Sequence, residues 1–293
     1  MQILDGKQLS KSIKEEIKVS VAKLKAEGKN IPHLAAILIG HNPASESYIR
    51  SKVRSCDYVG FESTLIRKDY SITEEELLEI VKELNENDDV DGFIVQLPLP
   101  KHIDEVKVTL AIDPKKDVDG FHPVNFGRMA QGLPCYLPAT PYGIIQMLDR
   151  YNILTSGKHV VVVGRSNIVG TPVSILLSRK AKIGNATVTL THSRTRDLTA
   201  ELLRADIVIA AIGIPEFITG DQIKDGAVII DVGINRVDDD TRKSGYRLVG
   251  DVEWDSVSPK ASYITPVPGG VGPMTVTSLL MNTLKASANE VYG

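Results

Sequence analysis

Residues 158–172, KHVVVVGRSNIVGTP, constrain the fold more than any other stretch of this chain. Four consecutive valines, Val160–Val163, form a fully apolar, β-branched run. Gly164 ends the run, a polar turn follows, and Gly170 opens a new apolar stretch. That order is the signature of a buried parallel strand, a tight turn and a helix N-terminus. Backbone N–H groups at such a turn lie beside the positive end of the helix dipole, a setting suited to phosphate. The first expectation is therefore a dinucleotide site here, with other parts of the chain holding the molecule that reacts with it.

The 293 residues suffice for two domains of about 100–200 residues each. With 42% hydrophobic and 24% charged residues, the composition is that of a globular protein rather than a disordered one. A formal net charge of −3 argues against nucleic acid or an anionic membrane as the main partner. Cys56 and Cys135 are too few for a disulfide framework and fit a reducing compartment. No apolar run approaches the roughly 18 residues that span a bilayer. The opening MQILDGKQLSKSIKEEI has no signal-peptide core, and its acidic residues do not suit a transit peptide, so a cytoplasmic protein is expected.

Leu9, Ile13, Ile17, Val21 and Leu24 recur at helical spacing and predict an amphipathic helix over 7–27, stopped at Gly28. HLAAILIG (33–40) reads as a buried strand. HNPASES leads into a helix that carries Tyr48, Lys52 and Cys56 at intervals of four. A strand is predicted over 62–68, and Thr73 with Glu76 forms a capping box that opens a helix to about Asn87. GFIVQLPLP (92–100) is a further buried strand ending in prolines. Two β-α-β units in sequence imply a parallel α/β layer. After a polar turn at 113–120, Thr140 and Pro141 look like the N-cap and first residue of a helix to about Tyr151. Strands follow at 186–192, 206–213, 227–233 and 264–267. Residues 235–250 read as an exposed hairpin or loop, and Pro273 begins a last helix to about Asn289. The change near residue 140 marks the domain boundary. It gives a first domain over 1–139, with the C-terminal helix 273–293 packing back on it, and a nucleotide domain over 140–272.

The turn GRSNIVG departs from the common G-x-G-x-x-G: Ser166 stands where a second glycine would sit, and Gly170 comes one place late. A plain β-α turn would look similar. Arg165 and Ser166 nevertheless offer phosphate donors, and the next strand ends at THSRT (191–195) without Asp or Glu. An acidic residue there would bind a ribose 2′-hydroxyl and repel a 2′-phosphate, whereas Ser193 and Arg194 accept one. The expected cofactor is NADP rather than NAD.

Several residues elsewhere have two readings. Lys52 is either a surface lysine lying along Tyr48 or a site residue. Gln96 interrupts an apolar strand, so it is either a buried structural hydrogen-bonder or a site residue at the strand's carboxyl end. Asp117 and Asp119 lie in a turn, where aspartates commonly cap their own backbone. TPVPGGVGP (265–273) permits close backbone approach to a ligand, or is simply a tight loop. The histidines and cysteines show no metal-ligand spacing, so no metal is expected.

Taken together, YIRSKVRSCDYVG (48–60), DGFIVQLPLP (91–100), PKKDVDGFHPVNFG (114–127), GRSNIVGTP (164–172), DVGINR (231–236) and ITPVPGGVGPMTV (264–276) closely resemble the bifunctional methylenetetrahydrofolate dehydrogenase/methenyltetrahydrofolate cyclohydrolase family, in the same order and over essentially the whole chain. The resemblance implies a two-domain α/β protein: an N-terminal α/β catalytic domain and a Rossmann-type NADP-binding domain, with a folate cleft between them. It also implies a homodimer. By the same resemblance Lys52 is the catalytic lysine, Tyr48 stacks on the folate, Gln96 hydrogen-bonds the lysine and Asp119 holds the pterin. Gly164, Arg165, Ser166, Ser193 and Ile234 fall at nucleotide-binding positions, beside the Arg194 read above from the end of the strand. The Pro268–Pro273 loop, with Gly269 and Gly270, lines the folate site. One departure is SRKAKIGNATVT (178–189), a connection a few residues longer than usual. A monofunctional dehydrogenase of the same fold and an NADP-dependent dehydrogenase acting on a shikimate-like carbon acid are the alternatives. A non-catalytic NADP-binding module would have no need of the lysine, glutamine and aspartate.

Overall fold

In the computed structural model, which describes residues 1–242 and 245–292, the chain alternates strand and helix almost throughout. It runs β1 (Gln2–Ile3), α1 (Gly6–Ala26), β2 (His33–Ile39), α2 (Pro43–Val59), β3 (Glu62–Lys68), α3 (Glu74–Glu86) and β4 (Gly92–Val95). Three helices follow: α4 (Glu105–Ala111), α5 (Pro123–Ala130) and α6 (Ala139–Arg150). Then come β5 (His159–Val163), α7 (Gly170–Ser178), β6 (Thr187–Thr191), α8 (Leu198–Arg204), β7 (Ile207–Ala210) and β8 (Val228–Asp231). A hairpin of β9 (Asn235–Asp238) and β10 (Tyr246–Val249) precedes α9 (Trp254–Val257), β11 (Tyr263–Ile264) and α10 (Val271–Ser287). The hairpin expected within 235–250 is thus antiparallel β9 and β10, with Lys243 and Ser244 outside the described residues. Among the described residues no helix is long and apolar enough to cross a membrane.

Two compact units result. One comprises residues 11–139 and 276–293, the other residues 1–10 and 140–275. The sequence reading placed residues 1–10 with the first segment. They belong to the other unit because β1 pairs in parallel with β11. The first unit holds a parallel sheet in the order β3-β2-β4. Its core joins Ala35, Ile37, Phe93 and Val95 of the strands to Leu77 and Val81 of α3. Phe93 is completely buried, and its truncation to alanine costs about 3–5 kcal/mol. The Thr73–Glu76 capping box is present at the start of α3, with the Thr73 N–H donating to Glu76 and the Glu76 N–H to Thr73 Oγ1.

The second unit holds a six-stranded parallel sheet in the order β1-β11-β8-β7-β5-β6. From β5 the chain moves outward to β6, then returns across β5 to β7. The carboxyl ends of β5 and β7 therefore form a topological switch point, where open α/β sheets bind ligands. The longer 178–189 connection leaves the register intact: His159 still pairs with Thr187 and Val163 with Thr191. It is tied back by Thr155, whose Oγ1 donates to the Gly184 carbonyl at 2.9 Å.

Several element boundaries differ from those the sequence predicts: β7 and β11 are shorter than 206–213 and 264–267, α10 starts at Val271 rather than Pro273, and two differences have local reasons. The apolar run 92–100 is a strand only to Val95, since Pro98 and Pro100 have no N–H for the ladder. Helix α6 begins at Ala139, so Pro141 lies inside its first turn rather than opening it. Proline is tolerated there because first-turn N–H groups have no intrahelical partner.

Candidate active site

The sequence of α2 explains how it presents a lysine. Asn42 caps it, accepting from the Ala44 and Ser45 N–H groups, and Gly60 ends it in a left-handed conformation at φ 84°. Ile49, Cys56 and Val59 bury one face, and Lys52 lies on that face with only 8% of its surface exposed. The surface-lysine reading therefore fails for Lys52. Its Nζ donates to Gln96 Oε1 at 3.1 Å. Gln96 follows β4 directly and is held by its own backbone N–H to Ile37 O and by Nε2 to Leu97 O at 2.7 Å. Burial lowers the pKa of Lys52, while the negative charge of Asp119 pulls it the other way. Burial raises the pKa of Asp119, opposed by the lysine. Tyr48, one turn earlier on α2, is 42% exposed and free to meet a flat ligand face. Cys56, one turn later, is buried and its thiol is pushed up to about 12, so it stays protonated and inert.

The two aspartates of DVDG have different tasks. Asp117 is the buried backbone cap: it accepts from Phe121 N–H at 3.2 Å, His122 N–H at 2.8 Å and Asn125 Nδ2 at 2.9 Å. Burial pushes it up to about 7, against those three donors. Asp119 makes no side-chain hydrogen bond among the described residues, and its carboxylate interacts with Lys52 through charge alone. Composition and spacing gave no reason to single out Asn125 or Asn282, whose amides hold this turn. Their signal was present only as polar residues at positions that prove wholly buried.

In the other unit, Gly164 ends β5 at φ 108°, and a side chain there would meet the Ala211 carbonyl oxygen at 2.2 Å. Gly170 lets α7 approach the turn, since its missing Cβ would lie 1.9 Å from Gly164 O. Glycine is thus required at both positions for close packing at the switch point. Ser166 caps α7 from within the turn. Its Oγ accepts from Val169 N–H at 3.2 Å and Gly170 N–H at 3.4 Å, and its carbonyl takes the Thr171 N–H. The turn after β6 lies alongside, because Gly164 N–H donates to Thr191 O. There His192 Nδ1 accepts the Arg194 N–H at 3.1 Å, leaving the Ser193 and Arg194 side chains exposed, as is Arg165. The first carboxylate beyond β6, Asp197, caps α8 by accepting from Ala200 N–H. The donor set fits a 2′-phosphorylated dinucleotide.

Ile234, just past β8, is 45% exposed. The segments on either side of it are fixed by two buried carboxylates absent from the sequence-derived site. Asp251 accepts from Ile212 N–H, Gly213 N–H and Asn235 Nδ2. Asp231 accepts from Gly233, Asp251 and Val252 N–H groups and is pushed up to about 7 by burial. In the 265–273 loop, Pro268 is exposed while Gly270 is buried against Gly6, and Lys7 N–H donates to Gly269 O. Packing within that unit already accounts for the Gly270 position. Among the described residues no cluster of histidine, cysteine or acidic side chains is placed to hold a metal ion.

A parallel α/β unit with a glycine turn at its switch point, together with a buried lysine hydrogen-bonded to a glutamine, defines a nucleotide-dependent enzyme class. Comparison with known proteins narrows it. Residues 4–119 match the family model of the tetrahydrofolate dehydrogenase/cyclohydrolase catalytic domain, and residues 138–291 that of its NAD(P)-binding domain. The bifunctional protein FolD of Cytophaga hutchinsonii is 62% identical over 288 residues, covering 98% of this chain and 99% of that protein. The FolD of Bacteroides fragilis is 58% identical over the full length of both. Among solved structures, the bifunctional FolD dehydrogenase/cyclohydrolase of Campylobacter jejuni superposes with a TM-score of 0.93 at 45% identity, covering 99% of each chain. The Trypanosoma brucei enzyme, solved with NADP cofactor and inhibitor, gives 0.92 at 39%, covering 99% of this chain and 98% of that one. The chain belongs to the tetrahydrofolate dehydrogenase/cyclohydrolase family. Thermus thermophilus shikimate 5-dehydrogenase, at 13% identity and a TM-score of 0.50, shares the fold alone.

Proposed function

We propose that this chain oxidises 5,10-methylenetetrahydrofolate to 5,10-methenyltetrahydrofolate with NADP, and hydrolyses that product to 10-formyltetrahydrofolate. The observation that carries the reading is the hydrogen bond at 3.1 Å from buried Lys52 to Gln96, with the Asp119 carboxylate acting on the same lysine by charge and making no side-chain hydrogen bond among the described residues. Bound NADP supplies the hydride acceptor for the oxidation. As the hydride leaves the methylene carbon, the N5 and N10 lone pairs stabilise the resulting cation, so the protein's task in that step is positioning. Tyr48 offers its ring to the folate, and Asp119 accepts two N–H bonds from the aminopyrimidine edge of the pterin. Arg165, Ser193 and Arg194 hold the 2′-phosphate, and Gly164, Ser166 and Ile234 shape the surface that receives the dinucleotide.

Hydrolysis needs protons moved. Water adds to the methenyl carbon and loses a proton, and N5 gains one as its bond to that carbon breaks. A lysine with a lowered pKa has a neutral fraction able to take the first proton and deliver the second. Gln96 orients Lys52 through a neutral oxygen, which does not add the charge stabilisation that a carboxylate would. The same reading extends to a homodimer acting in the cytoplasm. Support comes from exposed Leu248 and Trp254 in the nucleotide unit and from two buried cysteines that form no disulfide.

The test follows methylenetetrahydrofolate with NADP or NAD, recording the methenyl absorbance as it rises and decays. Formation dependent on NADP, followed by decay faster than in enzyme-free buffer, is the expected course. Methenyl product that accumulates and decays only at the uncatalysed rate would reduce the chain to a monofunctional dehydrogenase.

A further inference from the structure

The turn that carries Asp119 is fixed on every side except at Asp119 itself. Asp117 is held by three donors, as above. Val118 is pinned twice. Its side chain fills the space over Gly92, where an added Cβ would lie 2.2 Å from Val118 Cγ1, and its carbonyl accepts from Asn282 Nδ2 at 2.8 Å. Gly120 takes φ 75°, with the Leu137 backbone 2.6 Å from where its Cβ would be, and Leu137 O accepts the other Asn282 N–H at 2.8 Å. A single amide group on α10 thus bridges the residue before Asp119 and the segment beneath the residue after it.

Asn282 is wholly buried, and its Oδ1 has no hydrogen-bond partner. Among the described residues, the hydrogen bonds of its side chain all pass through Nδ2. A residue kept only for packing would be better apolar, because a buried, unsatisfied acceptor carries a desolvation cost. Asn125 completes the support from the opposite side: its Nδ2 spans Pro114 O and Asp117, and its Oδ1 accepts from Tyr136 N–H and Tyr292 OH.

We propose that Asn282 is a positioning residue for Asp119, its amide clamping the Val118 and Leu137 carbonyls so that the Asp119 carboxylate meets the substrate's donor edge at the right place. This rests on Asp119 reading the pterin. A two-oxygen acceptor facing two N–H groups tolerates little displacement, so loosening its turn removes affinity without touching the ligand.

The test is a double-mutant cycle on the full chain, with tetrahydrofolate and NADP affinities measured by calorimetry and the methylenetetrahydrofolate KM and kcat measured alongside. Asn282→Ala is expected to weaken tetrahydrofolate about tenfold, as loss of a well-placed charged hydrogen bond does. NADP affinity should be unchanged, and KM should rise more than kcat falls. In an Asp119→Ala background, Asn282→Ala should change tetrahydrofolate affinity by no more than about twofold, because the two act as one unit. Asn282→Ser, which keeps one donor, should fall between and carries the same cycle if the alanine variant does not fold. The same loss with and without Asp119, or lowered thermal stability with tetrahydrofolate affinity intact, overturns the proposal and leaves Asn282 a structural residue. If Asp119→Ala itself leaves tetrahydrofolate affinity unchanged, the assignment of Asp119 is what has failed.

Discussion

The two units solve the same problem with opposite means. Each fixes its functional turns with buried carboxylates that accept backbone N–H groups: Asp117 in one, Asp231 and Asp251 in the other. In the catalytic unit the clamped frame presents ionisable side chains, a buried lysine with a lowered pKa and an aspartate that acts on it by charge. In the nucleotide unit it presents glycine-lined backbone and exposed serine and arginine side chains around Gly164. Proton-moving chemistry has to be hidden from solvent, and cofactor binding does not. Moving a proton requires a side chain whose charge state burial can shift, whereas holding a phosphorylated cofactor requires shape and exposed donors.

Lys52 separates the two units most sharply. Lys52→Ser should lower hydrolysis of methenyltetrahydrofolate by about 10²–10⁴-fold, the usual contribution of a general acid–base group, while folate still binds. Stopped-flow decay of the methenyl absorbance measures this, and undiminished decay would remove Lys52 from the chemistry. Gln96→Glu sharpens the same point without deleting the lysine. Lys52 must be neutral to take a proton, so activity falls on the acid side of its pKa. A carboxylate in place of the neutral amide favours the charged lysine and should move that acid limb upward by about 1–3 pH units. A pH–rate profile that does not move would mean the 3.1 Å contact is incidental to catalysis.

A smaller effect tests whether the two clamps are equivalent. Asp117 and Asp231 are both raised from 3.8 to about 7 by burial. A carboxyl group whose pKa is raised on folding binds its proton more tightly in the native state. Its contribution is present below the unfolded pKa and is lost as pH rises toward the folded one. Urea unfolding should therefore show stability falling between about pH 4 and pH 7, with a slope of order 1 kcal/mol per pH unit per group. Asp231→Asn should remove its share of the slope from the nucleotide unit. An unaltered slope would mean that the Gly233, Asp251 and Val252 N–H groups keep Asp231 ionised throughout.

How much of this was legible in the sequence follows from the range of the forces involved. The strand–turn–helix at 158–172 was readable because a valine run, a glycine and a helix start are local signals, and the Thr73–Glu76 box was readable for the same reason. Lys52 was not readable from spacing, since burial depends on what covers α2, and it entered through family resemblance alone. Asp117 was read correctly as a backbone cap, because an aspartate bonding its own turn is a short-range habit. Asn282 lies more than 140 residues from both carbonyls it holds, and no local pattern encodes such a contact. The same is true of residues 1–10, whose place beside β11 depends on a strand pairing across most of the chain.

The finest edge of the comparison is cofactor choice, which rests on exposed side chains and so should show the weakest single effects. Arg194 follows a turn fixed by His192, and Arg165 follows Gly164 on the neighbouring turn, joined to the first by the Gly164 N–H to Thr191 O bond. Both guanidinium groups sit in solvent, where each contact is screened, and Ser193 shares the load between them. Arg194→Ala should therefore raise the KM for NADP by only about threefold to tenfold, with the KM for NAD unchanged, because NAD has no 2′-phosphate to lose. Arg165→Ala, measured beside it, separates the two arginines: whichever alters the NADP/NAD ratio more is the chief 2′-phosphate reader. Equal losses on both cofactors from Arg194→Ala would show that this residue supports the turn and that discrimination lies with Arg165 and Ser193.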